Sequence, residues 1–517
     1  MGSTWAGGEM SLLNAVRRTS ESRALLLGAK SLVGVLVGYF VGAFLYIAIT
    51  RINYHFTLEW LEGGSLIQVQ RLLSGQPLYA EPTFDYVAQI YSPLYYYVAY
   101  LVSRVLGFGF LPLRLVSFFS ALGCVGLIYL LMRKQSANAY VSLMAAGSFL
   151  ALYKISDTWF DLARVDMLAF FLALLAIYLM QSGSTLHFVL AGVALSLACL
   201  TKQTFWIIVP PVLAYGFFIH GIRAWVLVLT TCLVSGLSHI LLDRIYQGWY
   251  SFFVYVVGFG QGGSVFAGGI RHFFEGYWLD AVLRNVPIFF LLFGLYFIPR
   301  LRQYRAALGM LALASGMILL SWLGILNKGG YNNVLIPSYT IFLIYAWLLI
   351  GELLNSPATS NFLRTGILLL YSVQLVYLLY PIAPQIPTTQ DLAAGRSLVQ
   401  DLQQQPGDVY LPFDNYLALY AGKKPFAGIG ALGDLNEVRA GPGRPAWNSI
   451  SAKLREMIRN KGFSLIILDE NAEWGSAEHY YQSYYQPSPI SYSQDAFFPV
   501  AGWQIRPKTR YTPSGSN

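Results

Sequence analysis

The sequence predicts a polytopic, all-α membrane protein with a small soluble α/β domain at its C-terminal end. Of the 517 residues, 56% are hydrophobic and only 11% are charged, whereas soluble chains carry about 25% charged residues. Apolar segments long enough to cross a hydrocarbon core of ~30 Å recur up to residue 384. Beyond residue 384 the hydropathy falls, and short helical and strand patterns replace the long apolar runs.

Eleven segments are predicted to span the membrane. The first, residues 31–50, carries no charge and follows a basic tail, residues 1–30, which we expect in the cytoplasm. The other ten predicted spans are residues 111–132, 137–156, 166–182, 187–201, 204–222, 224–243, 284–299, 306–326, 334–354 and 364–384. An odd number of spans places the C-terminal segment, residues 385–517, on the outer side.

A twelfth apolar segment, residues 91–108, begins with Tyr-Ser-Pro and is rich in tyrosine. If it crossed the membrane, the basic clusters at residues 133–134 and 300–305 would face outward, against the positive-inside tendency. We therefore predict an interfacial or re-entrant helix on the outer face, in the first outer loop. A second, amphipathic helix is expected in that loop at residues 65–73.

The C-terminal segment has the pattern of a small α/β domain. Residues 391–405 and 447–461 have helical periodicity, whereas PGDVYLPF and residues 463–470 have strand patterns. The sequence therefore divides into a cytoplasmic tail (1–30), a transmembrane domain (31–384) and a soluble extracytoplasmic domain (385–517).

Several classes of function are disfavoured by composition. The net charge is +9, but the basic residues are dispersed and form no patch interleaved with aromatic residues, so a nucleic acid is not expected as a partner. All three cysteines lie in apolar runs, which argues against a disulfide framework or a thiolate metal site. GFGQGG, at residues 258–263, lacks the strand and helix that flank a nucleotide-binding glycine motif.

The charges of the membrane portion gather on one predicted side. Ten of the thirteen acidic residues before residue 385 fall on the outer side. A charge inside a membrane helix costs about 2.5–3.5 kcal/mol on insertion scales, so its position is informative. The candidate site residues are Glu59 and Glu62 in the first outer loop, Asp161, Arg164 and Asp166, then Lys202 and Gln203, and finally Lys328 and Asn332. Such a collection suits an anionic substrate anchored in the membrane.

Each of these groups also has a simpler interpretation. The two glutamates would serve equally to cap a helix or to face water. Arg164 and its flanking aspartates could form a self-contained structural ion pair, and Lys202 could extend along an apolar surface to reach the interface. The glycines beside Lys328 are sufficient for a turn, although backbone N–H groups and a lysine also suit a phosphate.

The sequence resembles the GT-C superfamily of membrane glycosyltransferases, in particular the aminoarabinose transferase and protein O-mannosyltransferase type found in bacterial inner membranes. The resemblance covers roughly residues 30–355. It rests on motifs that follow one another in order: the acids after the first span, LLSGQPLY, YSPLYYYVAYL from Tyr91, Arg164-Val165-Asp166, Lys202-Gln203 and KGGYNN. The soluble tail resembles the small extracytoplasmic appendages of many relatives, which are not catalytic as a rule.

The resemblance implies a transferase that moves a sugar from a polyprenyl-phosphate-linked donor to an acceptor hydroxyl at the outer face, with inversion. The acceptor can be a lipid, a glycan or a protein. No cofactor is expected, although a divalent cation is a candidate. The implied location is the bacterial cytoplasmic (inner) membrane, with the N-terminus inside and the C-terminal domain outside, surrounded by membrane lipids.

The resemblance also assigns roles. The first-loop acid is the catalytic carboxylate, either Glu62 or Glu59, because here two residues separate the acids that are adjacent in the family. We favour Glu62, since Gly63 and Gly64 would let a sugar approach it. Asp161 and Asp166 are the next candidates. Arg164, Lys202 and Lys328 are expected to stabilise the leaving phosphate, and the remaining substrate-binding candidates are Gln203, Asn332 and Tyr91.

A secondary transporter or a flippase for a lipid or glycan is the alternative. Transporters place charges near the membrane midplane, on interrupted helices from paired halves. In this sequence the charges lie at one predicted surface, no internal repeat is evident and a soluble domain follows. These features favour an enzyme.

Overall fold

A computed structural model describes residues 4–260, 269–302, 304–327, 329–438, 442–469, 478–490, 492–493 and 495–515. Helices dominate the first 384 residues. Those before residue 260 are α1 (Thr4–Arg51), α2 (Glu62–Leu73), α3 (Leu94–Leu106), α4 (Phe110–Ser136), α5 (Ala139–Ser148), α6 (Asp166–Met180), α7 (Thr185–Thr201), α8 (Val209–His220), α9 (Trp225–Ile245), α10 (Trp249–Ser251) and α11 (Gly258–Gly260). Those that follow are α12 (Gly269–Phe274), α13 (Pro287–Phe297), α14 (Tyr304–Leu326), α15 (Ile336–Asn355) and α16 (Asn361–Tyr377).

Short helices of other types connect these elements. Turns of 3₁₀ helix are Phe149–Leu152, Lys154–Ser156, Trp159–Asp161, Gln203–Ile208, Gly221–Ala224, Ile298–Arg302, Asn332–Leu335 and Ala383–Gln385, and π-helical segments are Phe252–Val257 and Glu275–Leu283. Two of the 3₁₀ turns contribute to the candidate site. Gln203–Ile208 follows α7, and Asn332–Leu335 precedes α15.

The structure confirms a mostly helical membrane protein, but it does not confirm eleven spans. Each of the eleven predicted segments contains a helix. By length and composition, however, five described helical stretches could cross a membrane, or six if Gly269–Leu283 and Pro287–Arg300, which meet at 100°, form one bent span. The reason is length: α6 and α7 have 15 and 17 residues, about 22 and 26 Å at 1.5 Å per residue, less than the ~30 Å core.

The helices expected in the first loop, which we define as residues 52–109, are present. α2 begins at Glu62, three residues earlier than predicted, and α3 begins directly after Pro93. Both helices pack against one another and against residues that follow α16. The loop is therefore a folded layer rather than an extended connection.

The C-terminal segment folds as an α/β unit around a mixed sheet. Its helices are α17 (Thr389–Gln404), α18 (Tyr416–Tyr420), α19 (Ile429–Glu437), α20 (Gly443–Arg459) and α21 (Glu478–Gln482). Its strands, β1 (Asp408–Tyr410), β2 (Phe463–Asp469), β3 (Tyr485–Ser488) and β4 (Pro507–Pro513), pair in the order β1-β2-β4-β3. β1 and β2 are parallel, and the other two pairs are antiparallel.

The two predicted strands and both predicted helices of this unit are confirmed. β3 and β4 were not predicted, because β3 lies in a polar, tyrosine-rich stretch and β4 follows it without an apolar run. A single hydrophobic cluster joins the unit to the first loop, and it includes Phe56, Leu66, Tyr416 and Phe463. The C-terminal unit therefore rests on the first loop and fixes its position. The domain boundaries given above stay a prediction.

Candidate active site

A cavity of about 530 Å³ lies where the first loop, α6, α7 and the segment before α15 meet. One end is polar, and its lining residues are Tyr91, Arg164, Asp166, Lys202, Gln203 and Asn333. The remaining wall is largely apolar and includes Phe170, Phe205, Leu320, Leu323, Val334 and Ile336. The C-terminal unit closes one side with residues that include Gly430 and Trp503. The C-terminal unit also adds two acidic residues, Asp434 and Glu437, to the lining. The cavity is thus amphiphilic.

Asp166 and Lys202 form an ion pair in this polar end. Asp166 is the first residue of α6, and Lys202 follows the last residue of α7, so that each charge opposes the dipole at its helix end. The Lys202 Nζ atom lies 2.6 Å from Asp166 Oδ1, which also accepts a hydrogen bond from Asn333 Nδ2 (2.9 Å). Asp166 Oδ2 accepts one from Trp159 Nε1 (2.9 Å). Both carboxylate oxygens are therefore in use.

Arg164 is the second cation of the cavity. Its guanidinium donates to the Tyr91 hydroxyl at 2.9 Å and, weakly, to the Leu61 carbonyl at 3.4 Å. Its Nε atom is 4.0 Å from Glu59 Oε2 and has no hydrogen-bond partner among the described residues. A buried arginine normally uses all of its donors, so this side chain retains capacity to bind an anion.

Glu59 is fully buried beside Arg164. Its Oε2 atom accepts a hydrogen bond from the Leu61 N–H at 3.1 Å, whereas Oε1 has no partner among the described residues. Burial raises the pKa of Glu59 to about 8, although Arg164 and the Leu61 N–H act in the opposite direction. Glu59 thus combines a free oxygen with a pKa near the range in which a general base works.

Glu62 has the opposite environment. Arg114 contacts both of its carboxylate oxygens, at 3.0 and 2.8 Å, and the backbone N–H groups of Ala163 and Leu58 donate to them at 2.6 Å each. Burial alone would raise the pKa of Glu62, but Arg114 and the two N–H groups outweigh it and hold the pKa below the ordinary glutamate value. Every oxygen is occupied, which is typical of a structural ion pair.

Neighbouring described residues fill the open space that was expected beside Glu62. A Cβ atom on Gly63 would lie 2.5 Å from the Tyr416 ring, and one on Gly64 would lie 1.9 Å from Gln89 Nε2. The glycines therefore admit the C-terminal unit and Gln89 rather than a sugar. The space that favoured Glu62 over Glu59 is filled. Neither glutamate is among the described residues that line the cavity, although Trp60 and Leu61, which follow Glu59, do line it. The choice of base stays a prediction.

Asp161 is also committed elsewhere. Arg51, the last residue of α1, donates to both of its oxygens at 2.7 and 2.6 Å, and the Tyr153 hydroxyl donates to one of them at 2.8 Å. The pair is completely buried. The Arg51–Asp161 pair lies between α1 and the turn before α6. Asp161 is not among the described residues of the cavity wall.

The remaining sequence candidates divide between the cavity and its surroundings. Tyr91 and Gln203 line the cavity, and Gln203 donates to the Ile90 carbonyl at 2.8 Å. Asn332 instead holds Asp157, through its backbone N–H (3.1 Å) and its Nδ2 atom (3.0 Å). Lys328 lies outside the described residues.

Four buried polar atoms in this region have no hydrogen-bond partner among the described residues. They are Glu59 Oε1, Arg164 Nε, Gln203 Oε1 and Asn333 Oδ1. Buried polar atoms without partners are uncommon in native proteins and call for an explanation. Arg164, Gln203 and Asn333 line the cavity, so a polar ligand bound there would lie against three of the four residues.

Sequence reasoning missed four residues that contribute to this arrangement. Arg114 lies inside the predicted span 111–132, and a cation in an apolar helix signals a buried acidic partner. Asn333 was overlooked beside Asn332. Gly502 and Trp503 carry no signal in the sequence, yet Trp503 lines the cavity, and a Cβ on Gly502 would lie 2.9 Å from Glu59 Cγ.

No group of three or more His, Cys, Asp or Glu side chains in the described ranges is arranged to hold a metal ion. Three acidic residues line the cavity, Asp166, Asp434 and Glu437. Both oxygens of Asp166 already accept hydrogen bonds, from Lys202, Asn333 and Trp159. A requirement for a divalent cation stays a prediction.

Comparisons with known proteins agree with this architecture. The family model described as dolichyl-phosphate-mannose-protein mannosyltransferase matches residues 91–243. The structure of ArnT from Cupriavidus metallidurans bound to undecaprenyl phosphate is similar with a TM-score of 0.60 and 13% identity, over 93% of this chain and 98% of that one. The Archaeoglobus fulgidus oligosaccharyltransferase in its apo form is similar with a TM-score of 0.51 and 12% identity, over 88% and 74%. No curated protein matches in sequence.

These findings confirm the resemblance to the GT-C superfamily of membrane glycosyltransferases. The family match covers less than half of the chain, and the identities are low, so the structural matches establish the fold. The C-terminal unit belongs to the shared fold, because the match to ArnT covers nearly the whole of both chains.

Proposed function

We propose that this protein is a glycosyltransferase that moves a sugar from a polyprenyl-phosphate-linked donor to an acceptor hydroxyl, with inversion, at the outer face of the membrane. The amphiphilic cavity is the observation that carries the proposal. Its apolar wall suits a prenyl chain, and its cationic end suits the phosphate to which such a chain is attached. The solved ArnT structure that shares this fold contains undecaprenyl phosphate.

The two cations of the polar end favour a phosphate ligand. Lys202 is paired with Asp166, whereas Arg164 lies beside Glu59, whose pKa is raised to about 8, so that this carboxyl is mostly neutral at pH 7. Asp434 and Glu437 of the C-terminal unit also line the cavity. A sugar phosphodiester has one negative charge. When the sugar leaves, more negative charge develops on the phosphate, and fixed cations at reduced dielectric stabilise it strongly.

Glu59 is the carboxylate that we assign as the general base. In its ionised form its free Oε1 atom takes the proton of the acceptor hydroxyl, while the hydroxyl oxygen attacks the anomeric carbon and the bond from that carbon to the phosphate oxygen breaks. Trp60 and Leu61, the next two residues, line the cavity. Gly502 of the C-terminal unit packs against the Glu59 side chain on the other side.

The competing proposal, a transporter or flippase, has less support. The Asp166–Lys202 pair, Arg164 and Glu59 belong to helix ends and connecting segments rather than to helix interiors. Transporters instead place ionisable groups on interrupted helices at mid-membrane depth. A charge cluster at helix ends beside a folded soluble layer is typical of an interfacial active site.

The proposal is tested with the full-length protein in lipid nanodiscs. We expect it to bind a short-chain polyprenyl phosphate in preference to the matching polyprenol, and Arg164→Gln to weaken this binding by about ten-fold or more, the loss of one charged hydrogen bond. Arg104→Gln, on the exposed side of α3, is the matched control.

Three outcomes would overturn the proposal. The first is equal affinity for the phosphate and the alcohol, and the second is an equal loss of affinity in Arg164→Gln and Arg104→Gln. The third is movement of a labelled polyprenyl-phosphate sugar across a liposome membrane without release of polyprenyl phosphate, which would identify a flippase.

A further inference from the structure

A second cavity, of about 490 Å³, lies beside the first, and we propose that it binds an uncharged carbohydrate chain as the acceptor. It is enclosed by α2, the segment before α3 and residues 413–431 of the C-terminal unit. This inference rests on the proposed function, because it names the substrate that accepts the sugar.

The two cavities adjoin and share a wall, which we call the dividing layer. Among the described residues it consists of Trp60, Leu61, Gln89, Gly430 and Ala431, which line both cavities. In a direct displacement the acceptor hydroxyl attacks the anomeric carbon from the side opposite the leaving phosphate. The two substrates must therefore bind close together. Trp60 and Leu61 also follow Glu59 directly, so the dividing layer lies next to the proposed base.

Gln89 belongs to the dividing layer, and its side chain is held in position by a neighbouring tyrosine. The Tyr96 hydroxyl donates to Gln89 Oε1 at 2.7 Å and fixes the side chain. The Nε2 amide lies over Gly64, where a Cβ atom would come within 1.9 Å of it. Among the described residues no acceptor pairs with this amide, which leaves its N–H groups available to a ligand at the junction of the cavities.

The lining of the second cavity has the chemistry of a carbohydrate site. Side-chain amides are abundant and come from Gln68, Gln70, Gln76, Gln89 and Asn415. An amide both donates and accepts hydrogen bonds, as a sugar hydroxyl does. Trp60 and Phe413 add aromatic surface for the apolar faces of sugar rings.

The charges of the second cavity cancel. Arg71 and Lys424 are balanced by Glu81 and Asp85, and the Lys424 Nζ atom lies 2.7 Å from Asp85 Oδ2. No net charge remains to favour a phosphorylated or acidic acceptor. A phosphorylated glycolipid would require a surplus of cations here.

A peptide acceptor also fits poorly. Extended peptides commonly bind by adding a strand to the edge of a sheet. The edge strands of the C-terminal sheet are β1 and β3, and neither contributes to the described lining of this cavity. The observations therefore favour a neutral glycan over a peptide.

The test measures binding to the full-length protein in nanodiscs. The probes are end-labelled neutral hexasaccharides of glucose, mannose, galactose and arabinose, with a diphosphorylated glycolipid and a Ser/Thr-rich peptide as comparators. Ala80 lines the second cavity but is not among the described residues that line the first. Ala80→Phe should therefore lower the affinity for the neutral ligand by about ten-fold or more, because the larger side chain overpacks the cavity. Ala393→Phe, at an exposed position of α17, is the matched control and should bind normally.

A second measurement keeps the test informative if Ala80→Phe folds poorly. A roughly ten-fold increase in salt concentration should change the affinity of the unsubstituted protein for a neutral glycan by less than about two-fold, because salt screens only charged contacts, whereas an anionic ligand would lose more. The inference is overturned if no neutral hexasaccharide saturates the protein, if the two alanine variants behave alike, or if the glycolipid or peptide alone binds. Normal glycan binding without any affinity for polyprenyl phosphate would instead reject the proposed function.

Discussion

Two glutamates three positions apart in the first loop have opposite environments. Glu62 gives all of its acceptor capacity to Arg114 and two backbone N–H groups, whereas Glu59 keeps one oxygen free beside Arg164. The chemical difference follows from the neighbours, since the residue type and the burial are the same. At the residue scale, therefore, Glu59 is a candidate base and Glu62 holds the first loop in place.

The first prediction separates these two roles. Glu59→Gln should lower kcat by ~10²–10⁴-fold, because the amide keeps the shape but cannot accept the proton, and polyprenyl phosphate binding should persist. Glu62→Gln should instead destabilise the protein by ~3–5 kcal/mol, because Arg114 is left as an uncompensated buried charge. Turnover and thermal unfolding of both variants check this. A stable but inactive Glu62→Gln protein would return the base to Glu62.

The second prediction concerns pH. A base acts when it is ionised, and burial raises the pKa of Glu59 to about 8, so kcat should increase as the pH rises through about 8. Arg164 lowers this pKa, and Arg164→Gln should therefore move the increase to a higher pH. A pH profile of turnover at saturating donor is the measurement. A rate that is flat from pH 6 to 9 would contradict the assignment.

At the scale of elements, the site is built from places where helices stop. α7 ends at Thr201, and the extended backbone of Lys202 leads into the 3₁₀ turn Gln203–Ile208. The segment Ala501–Trp503 of the C-terminal unit approaches from the other side, where the Ala501 N–H donates to the Leu58 carbonyl at 3.0 Å. Breaks in regular structure free side chains and backbone groups to converge.

The third prediction tests the end of α7. Lys202→Ala should cost ~2–4 kcal/mol of transition-state stabilisation, comparable to the loss of one preorganised anion donor, and should reduce kcat more than it raises the donor KM. Lys154→Ala, whose half-buried ammonium lies 3.3 Å from Gln385 Oε1, is the control. Wild-type kinetics in Lys202→Ala would mean that Lys202 merely reaches the membrane interface.

The fourth prediction tests the segment that covers Glu59. Gly502 has φ +65°, and a Cβ atom there would lie 2.9 Å from Glu59 Cγ. Gly422 has φ +69° with open space around its Cβ position. Each alanine variant should lose ~1–2 kcal/mol of stability through backbone strain, but only Gly502→Ala should also reduce kcat. Equal kinetic effects in both variants would remove any role for this segment in the site.

At the scale of the whole molecule, the C-terminal unit is part of the site. It shares a hydrophobic cluster with the first loop, contributes Trp503 to the first cavity and encloses the second with residues 413–431. The expectation that such an appendage stands apart from the chemistry is therefore replaced by a proposed role in the acceptor site. The membrane orientation of this unit stays a prediction.

The fifth prediction concerns that orientation. In a variant without Cys124, Cys199 and Cys232, an impermeant thiol reagent applied to intact cells should label a cysteine at position 480 but not one at position 302. The reason is the higher density of basic residues in the connections that we assign to the cytoplasm, which are shorter than the outer ones. The reverse pattern of labelling would contradict the eleven-span topology and its outer active site.

The sequence by itself determined the class of the protein, the helical segments and several of the side chains that meet in the cavity. Long apolar runs dictate membrane helices, since hydrocarbon offers no partner for backbone polar groups. The high cost of membrane charges made Arg164, Asp166 and Lys202 visible in the sequence, and the structure gathers all three in one cavity.

Only the tertiary structure decided which acids are free and how the C-terminal unit takes part. The sequence does not show which of Glu59, Glu62 and Asp161 are paired. They differ because Arg114 and Arg51 approach two of them from helices distant along the chain. The glycines after Glu62 suggested space that Tyr416 and Gln89 in fact fill. Free carboxylate oxygens are a property of three-dimensional packing, because ion pairs and hydrogen bonds act over a few ångströms of space and not along the sequence.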